Sequence, residues 1–393
     1  MAWQLFVSSR YLTAKPKERF ISLISAISIL GVAVGVAALI VVIAVMSGFD
    51  NDLKDKIIGT NSHIVVEADY GMPPAEDMIA DIIATPHVKD ASFFLTGQAL
   101  IRKEGNITGI IVKGIVPERE ARVTGIAGYV KEGSLEFGKD GIVVGSELAR
   151  KLDIGVGDSI SVVSPALPKG MDFTVRGIFN SGMYDYDMNL AYIGLAKAQE
   201  LFGVKGLASG VSVRADDAFN VASVRRSLQM KLGAPFAVRT WMDLNKNLLA
   251  ALKLEKTVMF LILTLIVLVA CFNIASTLIM IVLEKTRDIG ILKAIGASNG
   301  HIMGIFALQG AMIGFLGTAA GTGIGLFLCW LLKTYRFISL PKDIYYIDKL
   351  PVNLQLHEVM TIIIASLAIS LIATLYPSHR ASRLDPVEAL RYE

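Results

Sequence analysis

The fold class the sequence predicts is a membrane protein of four helical spans carrying one large α+β domain, a ferredoxin-like sandwich split by a β-rich insertion. Three observations predict it. Apolar residues make up 53% of the 393, above the roughly 45–50% of ordinary soluble domains. Four apolar runs, Phe20 to Ser47, Thr257 to Leu283, Ile302 to Leu332 and Val359 to Tyr376, are long enough to cross a bilayer. The polar middle region between the first two runs alternates short strand patterns with helical ones.

Each element follows from its residues. Positions 1–19 read as a helix lying in the membrane interface, because MAWQLFVSSRYL puts Trp3, Phe6, Val7 and Tyr11 on one face; a plain run-in to the first span is the alternative. Residues 20–58 form the first span and a stalk, since Phe49, Leu53 and Ile57 recur at four-residue spacing beyond the apolar run. The domain occupies 59–245. HIVVEA reads as a strand, PAEDMIADIIAT as a helix entered through prolines, and VKDASFFL and NITGIIVKGIV as strands. GVSVRA, DDAFNVASVRRSLQMKLG and FAVRT repeat the strand, helix, strand order, so two halves flank an insertion at about 118–203. Residues 246–283 carry a second stalk and span without a breaker. A short helix at 284–299, a third span at 300–333, a loop at 334–357, a fourth span at 358–378 and a tail at 379–393 complete the chain. Arg10, Lys15, Lys17 and Arg19 precede the first span, which puts both termini in the cytoplasm and the large domain outside. The first run is too long for a signal-peptide core and lacks a small-x-small cleavage site, so it reads as a retained anchor.

Composition argues against several functions. A net charge of +3 and the lack of a basic block interleaved with aromatics give no case for nucleic acid. Cys271 and Cys329 both lie in apolar runs, which offers neither a disulfide framework nor a zinc site. The five histidines, His63, His87, His301, His357 and His379, have no metal-ligand spacing, and no nucleophile elbow is present. GSLEFGKD imitates a phosphate-binding loop through Gly133, Gly138 and Lys139, but Asp140 stands where the magnesium-binding hydroxyl belongs and a strand pattern follows it. No catalytic residues, metal or cofactor are therefore expected in this chain. The spans carry Asn273 and Gln309 but no charged relay, so transport would need an external energy source. Gly304, Gly310, Gly314, Gly317, Gly321 and Gly325 in the third span predict close helix packing.

Between the second and third runs stands EKTRDIGILKAIGAS, Glu284 to Ser298, in which charged and apolar residues interleave as on a short amphipathic helix and Gly296 waits at its end. Two readings stay open from the residues alone: a helix resting on the lipid surface, or one docked into a protein cleft.

Four stretches together resemble the lipoprotein-releasing Lol permeases (the LolC/LolE family), a branch of the macrolide-exporter-like (MacB-like) ABC transporters: VMSGFDNDLKDKIIG, EKTRDIGILKAIGAS, ISLPKDIYYIDKLPV and YPSHRASRLDPVEALRYE. The resemblance covers essentially the whole chain. It implies that EKTRDIGILKAIGAS is a coupling helix, with Ile289, Leu292 and Ile295 plugging an apolar cleft on a cytoplasmic (LolD-like) ATPase dimer that binds ATP and magnesium. Glu284, Lys285, Arg287, Asp288 and Lys293 would set its register by rim charge pairs. A second permease subunit, identical or paralogous, completes the implied complex in the Gram-negative inner membrane. It would extract lipoproteins and pass them to a periplasmic (LolA-like) carrier chaperone by force relayed through the stalks. Some members carry a protruding hook for the chaperone; the matching place here is short, at Pro165, Ala166, Leu167 and Pro168. Two other functions fit the same architecture, export of amphiphilic small molecules or peptides, and a cell-division-type scaffold that regulates a periplasmic hydrolase.

A triacylated cargo buries on the order of 45 methylenes, roughly 36 kcal/mol of transfer free energy, whereas non-covalent binding does not exceed about 21 kcal/mol. The acyl chains must therefore stay against apolar protein. This places a cavity where Val42, Met46 and Phe49 face Val258, Ile262 and Leu265 of a partner permease, unless those residues face lipid or pack within one subunit.

Overall fold

The computed structural model describes residues 3, 6–8, 19–335 and 351–384. Most of the expected interfacial helix, residues 336–350 of the outer loop and residues 385–393 of the tail lie outside the described residues. Four described helices are long and apolar enough to cross a membrane. The chain divides into two units. One holds the helical spans; the other, Asn51–Ala251, holds the sheet and its helices.

In chain order the longer helices are α1 (Arg19–Thr60), α2 (Glu76–Ile83), α3 (Ala222–Leu232), α4 (Lys246–Glu284), α5 (Thr286–Ala294), α6 (Asn299–Thr334) and α7 (Leu356–Ser382). Shorter helical turns are named below by their residues. Helix α1 has no proline from end to end, so nothing interrupts its backbone ladder after the apolar run. The break between α5 and α6 is chemically explicit. Gly296 takes a φ of +103°, a conformation that side-chain-bearing residues avoid. Ser298 then caps α6, its Oγ accepting from the His301 N–H while His301 Nδ1 accepts from the Ser298 N–H.

In the helical unit α6 uses glycines to approach two neighbours. A Cβ at Gly314 would lie 2.4 Å from Ser370 Cβ on α7, and one at Gly321 would lie 2.5 Å from the Ala33 carbonyl oxygen on α1. Backbones this close leave room for no larger residue, which is the small-residue packing expected within a membrane. Val32, Val36, Ile40, Ile274, Leu278, Cys329 and Ile362 fill the core between these helices. Ser28 and Thr277 share a 2.5 Å hydrogen bond across α1 and α4.

The second unit is built on ten strands: β1 (Ile64–Met72), β2 (Val88–Lys103), β3 (Asn106–Ile115), β4 (Val130–Gly133), β5 (Gly141–Gly145), β6 (Ser159–Val163), β7 (Met171–Phe179), β8 (Leu190–Gly194), β9 (Ala208–Ala215) and β10 (Phe236–Thr240). One part has the order β10–β1–β9–β2, antiparallel throughout. Helices α2 and α3 bring Ile79, Ile82, Val224 and Leu228 onto the same cluster as Ile64, Phe93, Val211 and Trp241. The other part is a closed barrel, β2–β3–β8–β5–β7–β6 and back to β2. Leu95, Ile101, Val144, Phe173 and Ile193 lie in its core.

The strands expected in an insertion at 118–203 close into this barrel only by sharing β2 and β3. Strand β2 is long enough to serve both parts: Val88 to Phe94 pair with β9, and Leu100 to Arg102 pair with β6. Closure removes the free edges that an independent small sheet would expose.

Candidate coupling segment and membrane crevice

Helix α5 lies between α4 and α6 and is folded back on its own helical unit. Ile289 is 1% exposed and packs with Ile281, Val282, Ile302, Ile305, Phe306 and Ala381; Leu292 is half-buried against the same cluster. The helical period then turns Ile291 and Ile295 outward, 46% and 77% exposed. Glu284 and Arg287 are exposed as well, and Asp288 is half-buried. The buried Lys285 pairs with Asp288 at 3.4 Å. Lys293 Nζ donates to the carbonyl oxygens of Ser382 and Leu384, 2.9 and 2.7 Å away, and so ties α5 to the end of α7.

Of the three residues expected to plug a partner's cleft, Ile289 is buried inside this chain, Leu292 is half-buried and Ile295 is exposed. Lys293 is committed to carbonyl groups rather than standing on a rim. Ile291 joins Ile295 on the outward face. The helical period could have separated the two faces, but the direction of the bundle was needed to say which one is outward.

The residues expected to line a cavity also divide. Val42 and Met46 line a cleft of about 230 Å³ within one chain, opposite Met259 and Phe260, while Phe49 is half-buried nearby. Val258, Ile262 and Leu265 point the other way and are exposed. Helix geometry explains the split, because 258, 262 and 265 share one face of α4 and 256, 259 and 260 another. At the polar end of the cleft Lys256 pairs with the buried Asp50 at 2.9 Å, and Ser47 Oγ donates to Glu358 at 2.8 Å. Sequence reasoning missed both contacts. Their only signal was the presence of charged residues just beyond the apolar runs.

In the barrel, the hook candidate is a compact turn between β6 and β7. Ser164 Oγ donates to the Leu201 carbonyl oxygen and accepts from the Leu167 N–H, and the Gly170 N–H closes on the Leu167 carbonyl oxygen. Pro165, Ala166 and Pro168 are exposed; Leu167 rests on the barrel core. Leu100, Ile110, Ile111 and Pro165 border an open cleft beside this turn.

The loop resembling a phosphate-binding motif is filled by Phe137, which is buried with Val143 and Tyr192, and strand β5 follows it. Burial pushes the Asp187 carboxyl above its usual range, against the pull of hydrogen bonds from the Ser181 N–H and Oγ. It pushes the His63 imidazole below its usual range, with Arg214 adding to the effect. Among the described residues, no group of three or more His, Cys, Asp or Glu side chains could hold a metal ion.

Comparison with known proteins brings two domain families and a set of full-length relatives. The MacB-like periplasmic core domain family matches residues 25–231, and the FtsX-like permease C-terminal family matches residues 260–386. The lipoprotein-releasing system transmembrane protein LolC of Xylella fastidiosa (strain Temecula1) is 37% identical, over 98% of each chain. LolC of Neisseria meningitidis serogroup B is 34% identical over 99% of each. LolE of Haemophilus influenzae is 32% identical over 98% of each.

Proposed function

Because the chain belongs to the lipoprotein-releasing permeases, with a MacB-like periplasmic core and an FtsX-like C-terminal domain, we propose that it is the permease subunit of an ATP-driven complex that lifts lipoproteins out of the membrane. The observation that carries the coupling step is the outward face of α5. A short helix held between two membrane spans, with Ile289 anchoring it inward and Ile291 and Ile295 exposed, is built to be gripped by a partner rather than to float on lipid. The partner is a separate cytoplasmic ATPase that binds ATP and magnesium, and Glu284 and Arg287 beside the two isoleucines give charged rim contacts. Basic residues before α1 and in the HRASR stretch favour cytoplasmic termini, which puts the sheet-bearing unit in the periplasm.

Within that unit, the strand order β10–β1–β9–β2 with one helix after β1 and one after β9 supports reading it as a split ferredoxin-like sandwich. A second permease, self or paralogue, would meet the exposed face of α4 that carries Val258, Ile262 and Leu265. The carrier chaperone would take the cargo at the periplasmic side, with the Pro165 to Pro168 turn as the candidate contact.

The test is reconstitution of the complex in proteoliposomes with a triacylated lipoprotein and the carrier. ATP should transfer lipoprotein to the carrier. ATP hydrolysis that moves only small amphiphiles, or moves nothing, would refute the reading.

A further inference from the structure

Between α1, α4 and α7 of a single chain runs an apolar crevice of about 320 Å³, with Val36, Leu39, Ile266, Ala270, Ile362 and Ile369 in its walls. Its lining on α7 extends from Thr361 to Ser370, nine helical steps or roughly 14 Å. One leaflet of bilayer hydrocarbon is about 15 Å deep. Ile43 and Phe260 line both this crevice and the smaller cleft that ends on Asp50, Glu255, Lys256 and Glu358, so the two spaces adjoin at these side chains. Polar ties between α1 and α4 bound them at both ends. Ser28 meets Thr277 at one end, and Asp50 meets Lys256 at the other.

We infer that this crevice holds one acyl chain of the lipoprotein cargo and that the Asp50–Lys256 pair is the latch that must open for the chain to leave. The inference rests on lipoprotein release as the function. The depth matches a single extended acyl chain in one leaflet, and the polar end suits the ester and amide groups where such a chain joins its head. The latch is asymmetric. Asp50 is 3% exposed and the Lys256 side chain 64%, so the lysine can swing into water while the carboxylate stays. Leaving the buried carboxylate without its partner costs free energy, so the pair holds until work done on the helices opens it. The Ser47–Glu358 contact fastens α1 to α7 beside it, which leaves the α1–α4 side as the one that parts.

The experiment uses the intact complex with Cys271 and Cys329 changed to Ala, in proteoliposomes, carrying Asp50→Cys and Lys256→Cys. A short bis-methanethiosulfonate bridges the two thiols and is cleaved by reductant. Bridging should cut lipoprotein transfer at least tenfold while ATP hydrolysis continues, and cleavage should restore transfer. In parallel, a lipoprotein with a diazirine on one acyl chain is photolysed in the unbridged complex without the two substitutions, and adducts are mapped by mass spectrometry. Adducts on Ile266, Ala270 or Ile369 are expected. Equal transfer before and after bridging overturns the latch, and adducts confined to other residues overturn the occupant. If the cysteine-free complex hydrolyses ATP but transfers no lipoprotein at all, the functional reading falls and this inference with it.

Discussion

Ile295 and Ile289 lie six positions apart on and just beyond the same short helix, yet one is exposed and the other buried, and substitution by alanine should separate the coupling role proposed for the first from the packing role of the second. Full burial of an isoleucine side chain is worth about 1.5–3 kcal/mol. Ile295 is 77% exposed, so covering it with a partner would gain roughly 1.2–2.3 kcal/mol. Ile295→Ala should therefore weaken binding of the ATPase about 7- to 45-fold at 1.4 kcal/mol per decade, with the permease's own unfolding temperature unchanged, because exposed positions contribute little to folding. Ile289, at 1% exposure in its cluster, has no surface left to offer. Ile289→Ala should cost about 2–5 kcal/mol of stability through the cavity it leaves. The assay is titration of labelled ATPase onto the permease in nanodiscs, paired with thermal unfolding of the permease alone. Wild-type affinity for Ile295→Ala, or weakened affinity for Ile289→Ala at unchanged stability, would refute the assignment of faces.

Two further outcomes test the fold. Gly314→Leu should drive a side chain into Ser370, 2.4 Å from the new Cβ, and lower the thermal midpoint by the equivalent of about 1–3 kcal/mol; Gly323→Ala, with nothing within 4 Å, should hold it or raise it slightly, because alanine is the better helix former, and equal losses would reject the packing argument. His63 is held neutral by burial, its Nδ1 accepting from the Ala215 N–H. Below about pH 6.5 the unfolded chain takes up a proton that the folded chain resists, so stability falls as pH falls and levels off once the depressed folded value is passed. His63→Asn should flatten denaturant midpoints measured between pH 7.5 and 5, and an unchanged slope would show that other groups carry it.

Much of the architecture was legible in the residues alone, because it rests on properties that act locally. Hydrocarbon thickness sets the length of an apolar run, so the four spans could be read directly. The amphipathic pattern of Glu284 to Ser298 and the glycine near its end marked a short helix and its stop, and the structure forms α5 there with Gly296 beyond its end. The small residues of the third span announced close packing, and a Cβ at Gly314 or Gly321 would indeed meet a neighbouring helix.

What only the tertiary structure decided is direction and long-range pairing. Periodicity says that Ile289 and Ile295 differ in face, but not which face the bundle claims; Ile281, Phe306 and Ala381 settle that from three other helices. Met46 lies in a uniformly apolar stretch, where every helical face looks alike, so its place opposite Phe260 in one cleft had no local signal. The barrel depends on β2 meeting β6 some sixty residues later in the chain, and the Asp50–Lys256 pair joins groups separated by the whole domain. Such contacts form because a closed sheet satisfies its edges and because a carboxylate leaving water needs a partner, wherever along the chain that partner happens to be.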